Sequence, residues 1–377
     1  MQQVQSPLPR DRDRRQSRAV GGLIGLAVLL AGLAWPGLAR DAPPGTGVSP
    51  RDPEAALRVA DEVAAREGLS RFGFSRRLMG TSVTITLYAP DRASANNAAN
   101  AAFVEMQRLE SVMSDYPESF PDSELLQLAK HASADPAQAR EVSDDLWPVL
   151  VRSVQLHGAS DGAFDITAKP FTQLWRISRQ RGELPPQDAI DRHRPLVGIE
   201  HLHLNRQEQT ARLGAEGAWL DLGGIAKGYI TDQGLAVIRA RGLKIAQVQA
   251  GGDMSLGQAP PGLAGWPINV PDFPKDDGGV GLALWHHNGG VSVSGDAFRF
   301  VEIGGVRYSH VVDPRTGLGV TGSRYCCVVG PSAFATDPAA TIGCILDEQG
   351  FEEALEKLGE IEGPLEGWRF QGDSGED

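Results

Sequence analysis

Hydrophobic positions repeat at two different periods along this chain, and the order in which the periods occur predicts an α+β fold. Val83, Ile85 and Leu87 alternate with polar neighbours across 79–88, the period-two signature of a strand with one buried face. Over 91–113 the spacing changes to three and four: Ala95, Ala98, Ala99, Ala102, Phe103, Met106, Leu109, Val112 and Met113 fall on one stripe of a long helix. Further helices are expected at 53–67, at 123–129 with Asp122 or Ser123 as its cap, at 143–157 and at 225–241, and a last pair at 337–346 and 351–358. Strands are expected at 219–221, 245–249, 291–293, 298–303, 306–312 and 325–329. The two kinds of element come in mixed order, without regular βαβ alternation. That favours mixed or antiparallel sheets with packed helices over a doubly wound sheet.

The N-terminus reads differently from the rest. Arg10, Arg12, Arg14, Arg15 and Arg18 precede an uncharged stretch, 19–39, whose core 23–30 is strongly apolar, and Gly37-Leu38-Ala39 supplies small residues for a signal peptidase. Residues 1–39 are therefore expected to be a secretory signal peptide, with an uncleaved membrane anchor as the alternative, and the mature protein to be periplasmic. Residues 40–71 read as a linker and N-terminal helix, 72–358 as the folded domain, and 359–377 as an acidic, frayed tail. The whole chain of 377 residues carries a formal charge of −12; loss of the signal, with its five Arg and two Asp, takes that to about −15. So acidic a protein is a poor partner for nucleic acid, and a metal ion would be needed to hold an anionic substrate. Cys326, Cys327 and Cys344, an odd number with two adjacent, read as buried small hydrophobes rather than a disulfide framework.

Several short stretches could carry chemistry, each with an ordinary structural alternative. In Asp221-Leu222-Gly223-Gly224-Ile225-Ala226-Lys227, two glycines before a helix let backbone amides approach an anion, with Lys227 as an added cation; a plain turn with a solvated lysine reads equally well. Asp337 and Thr341, four apart near a helix start, put two oxygens on one face for a hard ion such as Mg²⁺, yet Asp337 before Pro338 is also an ordinary N-cap. Asp165 and Thr167 could bond a polar ligand edge, and Gly251-Gly252-Asp253 marks a close approach of the backbone. Met79 and Tyr116 flank loops and could pack on a planar ring. His310 lies near the end of a β-branched run, beside the turn Asp313-Pro314-Arg315-Thr316-Gly317.

Taken in order, these stretches together with Gly162-Ala163-Phe164-Asp165-Ile166, Val293-Ser294-Gly295 and Tyr308-Ser309-His310-Val311-Val312-Asp313 resemble the ApbE family of FAD:protein FMN transferases over roughly 72–358. The resemblance implies an ApbE-like architecture related to the T-fold, and Mg²⁺-dependent transfer of FMN from FAD to a threonine or serine hydroxyl of an exported or membrane electron-transfer subunit, with AMP as leaving group. It also implies roles for particular residues. Met79, Tyr116, Ala163, Phe164, Asp165, Gly223, Lys227 and Tyr229 would contact FAD. Asp337, Thr341 and the carbonyl of Ala226 would hold the metal. His310 would sit by the pyrophosphate as the candidate base. Two other readings stay open at this level: an FAD pyrophosphatase, with water in place of the protein hydroxyl, and a non-catalytic flavin-binding assembly protein. The chain departs from the family pattern at Pro338, where Ala usually follows the metal aspartate.

Overall fold

A computed structural model of the protein describes residues 27–28, 38–39, 47–135, 137–271, 280–295, 300–322 and 324–371. The expected export segment 1–39 lies outside these, apart from the two-residue strands Ala27–Val28 and Leu38–Ala39. The labelled strands are β1 (Ser70–Leu78), β2 (Thr81–Ala89), β3 (Ala246–Ala250), β4 (Asp253–Leu256), β5 (Gly289–Gly295), β6 (Val306–Asp313), β7 (Arg324–Gly330) and β8 (Glu366–Gln371). The labelled helices are α1 (Pro53–Arg66), α2 (Arg92–Met113), α3 (Glu124–Ala134), α4 (Trp147–Ala159), α5 (Lys169–Arg181), α6 (Ala226–Ala240), α7 (Ala333–Ile345) and α8 (Glu348–Glu362).

Among the described residues the largest sheet has eight strands, in the order β1-β2-β3-β4-β5-β7-β8 followed by Ala27–Val28, and every pairing is antiparallel. Both its faces are covered. On one, the alanine stripe of α2 joins α6 and α7 over Val83, Ile85, Leu87 and Val248. On the other, α1 and the hairpin of Trp266–Pro271 with Val280–His286 bury Tyr88, Trp266 and Trp285. Strand β7 shows why a central strand reads as one apolar run: Cys326 and Val328 enter the first core, while Tyr325, Cys327 and Val329 enter the second. The three cysteines are buried free thiols, as their placement in apolar runs suggests. A third, smaller core of Phe171, Trp175, Ile190, Tyr308 and Val312 ties α5 to β6 and its neighbouring strands Phe300–Ile303 and Leu318–Thr321.

Several boundaries differ from those the sequence suggests. The strand expected at 79–88 begins at Thr81, because Met79 and Gly80, with φ of 52° and 68°, form the two-residue turn of a hairpin. Its partner β1 was not anticipated: Phe72, Phe74 and Leu78 share its core-facing side, but Arg71, Arg76 and Arg77 break up the pattern at this sheet edge. Trp219 to Asp221 joins no ladder; the N–H of Asp221 instead donates to the carbonyl of Ile166 at 2.7 Å. The tail expected from 359 onward is corrected as well. Helix α8 runs to Glu362, and β8 pairs with β7, burying Trp368 and stacking Phe370 on Tyr325 at 4.4 Å. The acidic residues beyond 371 had masked that alternation. Helix α5 and the short strands at 202–205 and 210–213 were also not foreseen.

The most consequential correction concerns α7. It starts at Ala333, not at 337, with Ser332 as its cap, so Asp337 lies inside the helix and Pro338 interrupts its hydrogen bonding from within. Helix α6 crosses it at backbone contact: a Cβ on Gly228 would stand 2.1 Å from the carbonyl oxygen of Ala333 and 2.9 Å from Cβ of Asp337. Gly228→Ala is therefore expected to destabilise the fold by about 3 kcal/mol, the upper end for overpacking, because the obstacle is backbone and cannot rotate away. Gly359→Ala, in α8 with nothing within 4 Å, is expected to stabilise by about 0.5–1 kcal/mol. Urea unfolding of the two variants checks the contrast, and equal effects would contradict the close crossing.

Candidate active site

Helix α6 has no side-chain cap of its own, and its N-terminal amides need partners. One comes from α7: Oδ2 of Asp337 accepts the N–H of Gly228 at 2.9 Å. The favour is returned by Asp232 on α6, whose carboxylate accepts the N–H groups of Ala333 at 3.2 Å and Phe334 at 2.9 Å, the first two of α7. The two helices are thus tied together, first-turn amides of each held by a carboxylate from further along the other. Burial pushes Asp232 above the ordinary carboxylate range, against the hydrogen bonds from Ser255, Phe334 and Ala333 that favour its charge.

Lys227, in the first turn of α6, sits at the end of the helix where the macrodipole disfavours a cation. Two carboxylates reverse the balance. Its ammonium bonds Oδ2 of Asp253 and lies 3.2 Å from Oδ1 of Asp337. Burial acts to lower the Lys227 pKa, but the attraction of Asp253 and Asp337 prevails and holds it above its usual range. Asp337 is fully buried; that burial, reinforced by the charge of Asp253, raises it to about 7 despite Lys227 and the Gly228 amide. Asp253 is 2 % exposed, and its Oδ1 is buried with no hydrogen-bond partner. Beside them Oγ1 of Thr341 lies 3.3 Å from Oγ of Ser294 and back-bonds the carbonyl of Asp337. Among the described residues no group of three or more His, Cys, Asp and Glu gathers. What gathers instead is a set of oxygens, two carboxylates and hydroxyls, with an unsatisfied buried acceptor. That set suits a hard cation such as Mg²⁺.

The remaining residues named from the sequence fall around this centre in different ways. The Gly223-Gly224 turn leads into α6, and a Cβ on Gly224 would meet the ring of Phe164 at 3.3 Å and Oγ1 of Thr341 at 3.4 Å. Phe164 and Gly224 therefore line one corner with Thr341, while Ala163, next to Phe164 in the chain, is fully buried in the core. Gly251 stands against Thr81, which sets the Met79 turn alongside Asp253, and Met79 is fixed by its N–H donating to Glu110 at 2.8 Å. Asp165 lies next to Phe164, but its oxygens are spent locally: Oδ1 accepts from the amide and hydroxyl of Thr167, and Oδ2 lies 3.4 Å from Nδ1 of His157. Ala226 opens α6 one residue before Lys227. Tyr229, two residues beyond Lys227, points away; its buried ring packs edge-on against Phe334, and the structure does not bring it to the carboxylates. His310 sits where the ladder of β6 is irregular, the five residues from Tyr308 to Val312 facing only the three from Thr321 to Gly319 on the partner. Such a bulge re-aims a side chain, and β6 packs against α7.

A second charged group adjoins the Gly223 turn. Asp221 accepts from the amide of Gly223 at 2.9 Å and from Thr172 at 2.6 Å, while Arg176 bridges it, at 3.4 Å, to Asp115 at 3.2 Å. Burial would raise Asp221, but Lys169 and Arg176 hold it below the usual range. Sequence reading found neither cation, although Lys169, Thr172 and Arg176 are spaced i, i+3, i+7 on one helical face. It also took Asp253 only as part of a turn and passed over Asp232. The signal for Asp253 was the Gly-Gly pair before it, which brings the backbone close enough to bury the carboxylate.

The chain is similar to known proteins. An FAD:protein FMN transferase of Vibrio cholerae is 28% identical over 249 residues, covering 65% of this chain and 73% of that protein. One of Escherichia coli K12 is 26% identical over 314 residues, 81% of this chain and 85% of its own length. The solved structure of flavin transferase ApbE from Vibrio cholerae superposes with a TM-score of 0.65 at 25% identity, covering 76% of this chain and 91% of that one. Residues 79–364 match the ApbE family, and the chain belongs to it.

Proposed function

We propose that the protein transfers FMN from FAD to a serine or threonine hydroxyl of an acceptor protein, releasing AMP, with Mg²⁺ at the Asp337 site. The observation that carries the chemistry is a buried pair of carboxylates, Asp253 and Asp337, at the N-terminus of α6, one with an unpartnered oxygen. Pyrophosphate cleavage demands charge neutralisation and in-line positioning more than covalent help from protein. The transferred group moves as a unit. The acceptor oxygen bonds the phosphorus of the FMN half, the bridging P–O bond to AMP breaks, the hydroxyl proton passes to a base, and AMP leaves with the bridging oxygen.

The chain's residues divide this work. Asp337, Thr341 and the carbonyl of Ala226, with Asp253 nearby, would hold the ion, which when bound supplies positive charge to the phosphate oxygens. Lys227 and the amides opening α6 add positive field at the same place. Phe164 and Gly224 shape the adjoining corner, Tyr116 offers a ring face at its rim, and His310 is the proposed proton acceptor. The basic and apolar N-terminal segment supports export to the periplasm, and with it an acceptor among exported or membrane electron-transfer subunits.

The test is incubation of the purified protein with FAD, Mg²⁺ and a domain bearing a flavinylation motif, following acceptor fluorescence in a gel and AMP release together. Both products are expected, and Asp337→Ala should lower them at least about 100-fold, in line with loss of a metal ligand. AMP without a labelled acceptor would indicate hydrolysis, and neither product with FAD still bound would indicate a binding protein. His310→Ala should lower transfer about 100-fold and flatten its pH profile; unchanged transfer across pH would remove that role. Because Asp337 must lose its proton to bind a cation, transfer at limiting Mg²⁺ should rise with pH through a midpoint near 7. Excess Mg²⁺ should move the midpoint lower. Without metal the sign reverses for stability: the folded state holds the proton that the unfolded chain has released, so stability falls as pH rises from about 4 to 7.

A further inference from the structure

Tyr116 is half exposed, 50 %, on the loop after α2, a poor position for a ring that must meet a ligand in one orientation. The structure compensates from beneath. The Arg176 guanidinium lies 4.7 Å from the centroid of the Tyr116 ring, and the Lys169 ammonium 5.6 Å away, both within cation–π range. Neither cation is loose. Lys169 is 3 % exposed and bonds Asp115, while Arg176 bonds both Asp115 and Asp221. Asp221 in turn fixes the amide of Gly223, in the turn that leads to Lys227. One guanidinium therefore connects the Tyr116 loop, helix α5 and the glycine turn of the active site.

We propose that Arg176, supported by Lys169, is a positioning residue that holds the Tyr116 ring as the stacking wall for the isoalloxazine of FAD. The proposal rests on the flavin-transfer function above and deepens it. A guanidinium suits the task better than an ammonium because it is planar, stacks on a ring face and still has donors for two carboxylates. Its removal also leaves no buried charge stranded: Asp115 keeps Lys169, and Asp221 keeps Thr172 and the Gly223 amide. An Arg176 variant should therefore fold, and its effect should be felt at the ligand.

The experiment is a double-mutant cycle on the full chain with FAD as the titrated ligand. Wild type, Arg176→Gln, Tyr116→Ala and the double variant are compared by FAD affinity, by KM and kcat, and by the emission of bound flavin, which ring stacking quenches. Arg176→Gln is expected to weaken FAD binding about fivefold, to raise KM more than it lowers kcat, and to restore part of the bound-flavin emission. Arg176→Lys should fall between it and wild type. In the Tyr116→Ala background, Arg176→Gln should add nothing. An equal loss in both backgrounds would overturn the proposal by showing that Arg176 meets the ligand directly, and unchanged affinity and emission in Arg176→Gln would overturn it outright. If Tyr116→Ala itself binds FAD as well as wild type, the stacking wall and its support both fall, while flavin transfer stands; if wild type binds no FAD, the functional reading fails first.

Discussion

The exchange of carboxylates between two helix N-termini is the constraint on which the rest of the site depends. Asp337 of α7 satisfies an orphan amide of α6, and Asp232 of α6 satisfies two of α7. Neither helix could shift without exposing unpaired buried donors, whose desolvation costs about 1–3 kcal/mol each. The crossing at Gly228 brings the backbones close enough for the exchange, since any side chain there would part them. A metal-type carboxylate is thus held in a dry, fixed place by bonds the fold needs anyway.

The same geometry gathers charge. Two aspartates at near-zero exposure repel each other, and Lys227 lies between them as counter-charge. One ammonium against two carboxylates leaves net negative charge and an oxygen of Asp253 without a partner. Such an arrangement is costly as a stability device, because buried ions repay their desolvation only with full pairing. It fits the cation that the proposed function calls for. The N-terminus of α6 then turns its positive end toward whatever anion that cation recruits.

The charges around Tyr116 form a second arrangement, balanced rather than deficient. Lys169 and Arg176 match Asp115 and Asp221, and Thr172 and the Gly223 amide also donate to Asp221. The first cluster is left wanting positive charge, and the second is satisfied. The glycine turn at 223–224 joins them, with its first amide on Asp221 and Lys227 following in the first turn of α6.

By itself the sequence determined what depends on local periodicity and chain geometry. The alternation of Val83, Ile85 and Leu87, the alanine stripe of α2 and the Gly-Gly turns report their own environment, because neighbours along the chain decide them. Asp337 and Thr341 were legible as a pair for the same reason, one helical turn setting their spacing. Tertiary structure decided everything that distant residues settle. Asp337 reads locally as an N-cap, yet Ser332 and Asp232 begin the helix earlier and turn it into an interior, buried acid. β8 lay hidden because its pairing partner is β7, with two helices between them in the chain. The glycines before Asp253 and the helical spacing of Lys169 and Arg176 mark where these charges lie but not what they do, since a charge acquires a function only from the opposite charges and rings that folding brings within a few ångströms of it.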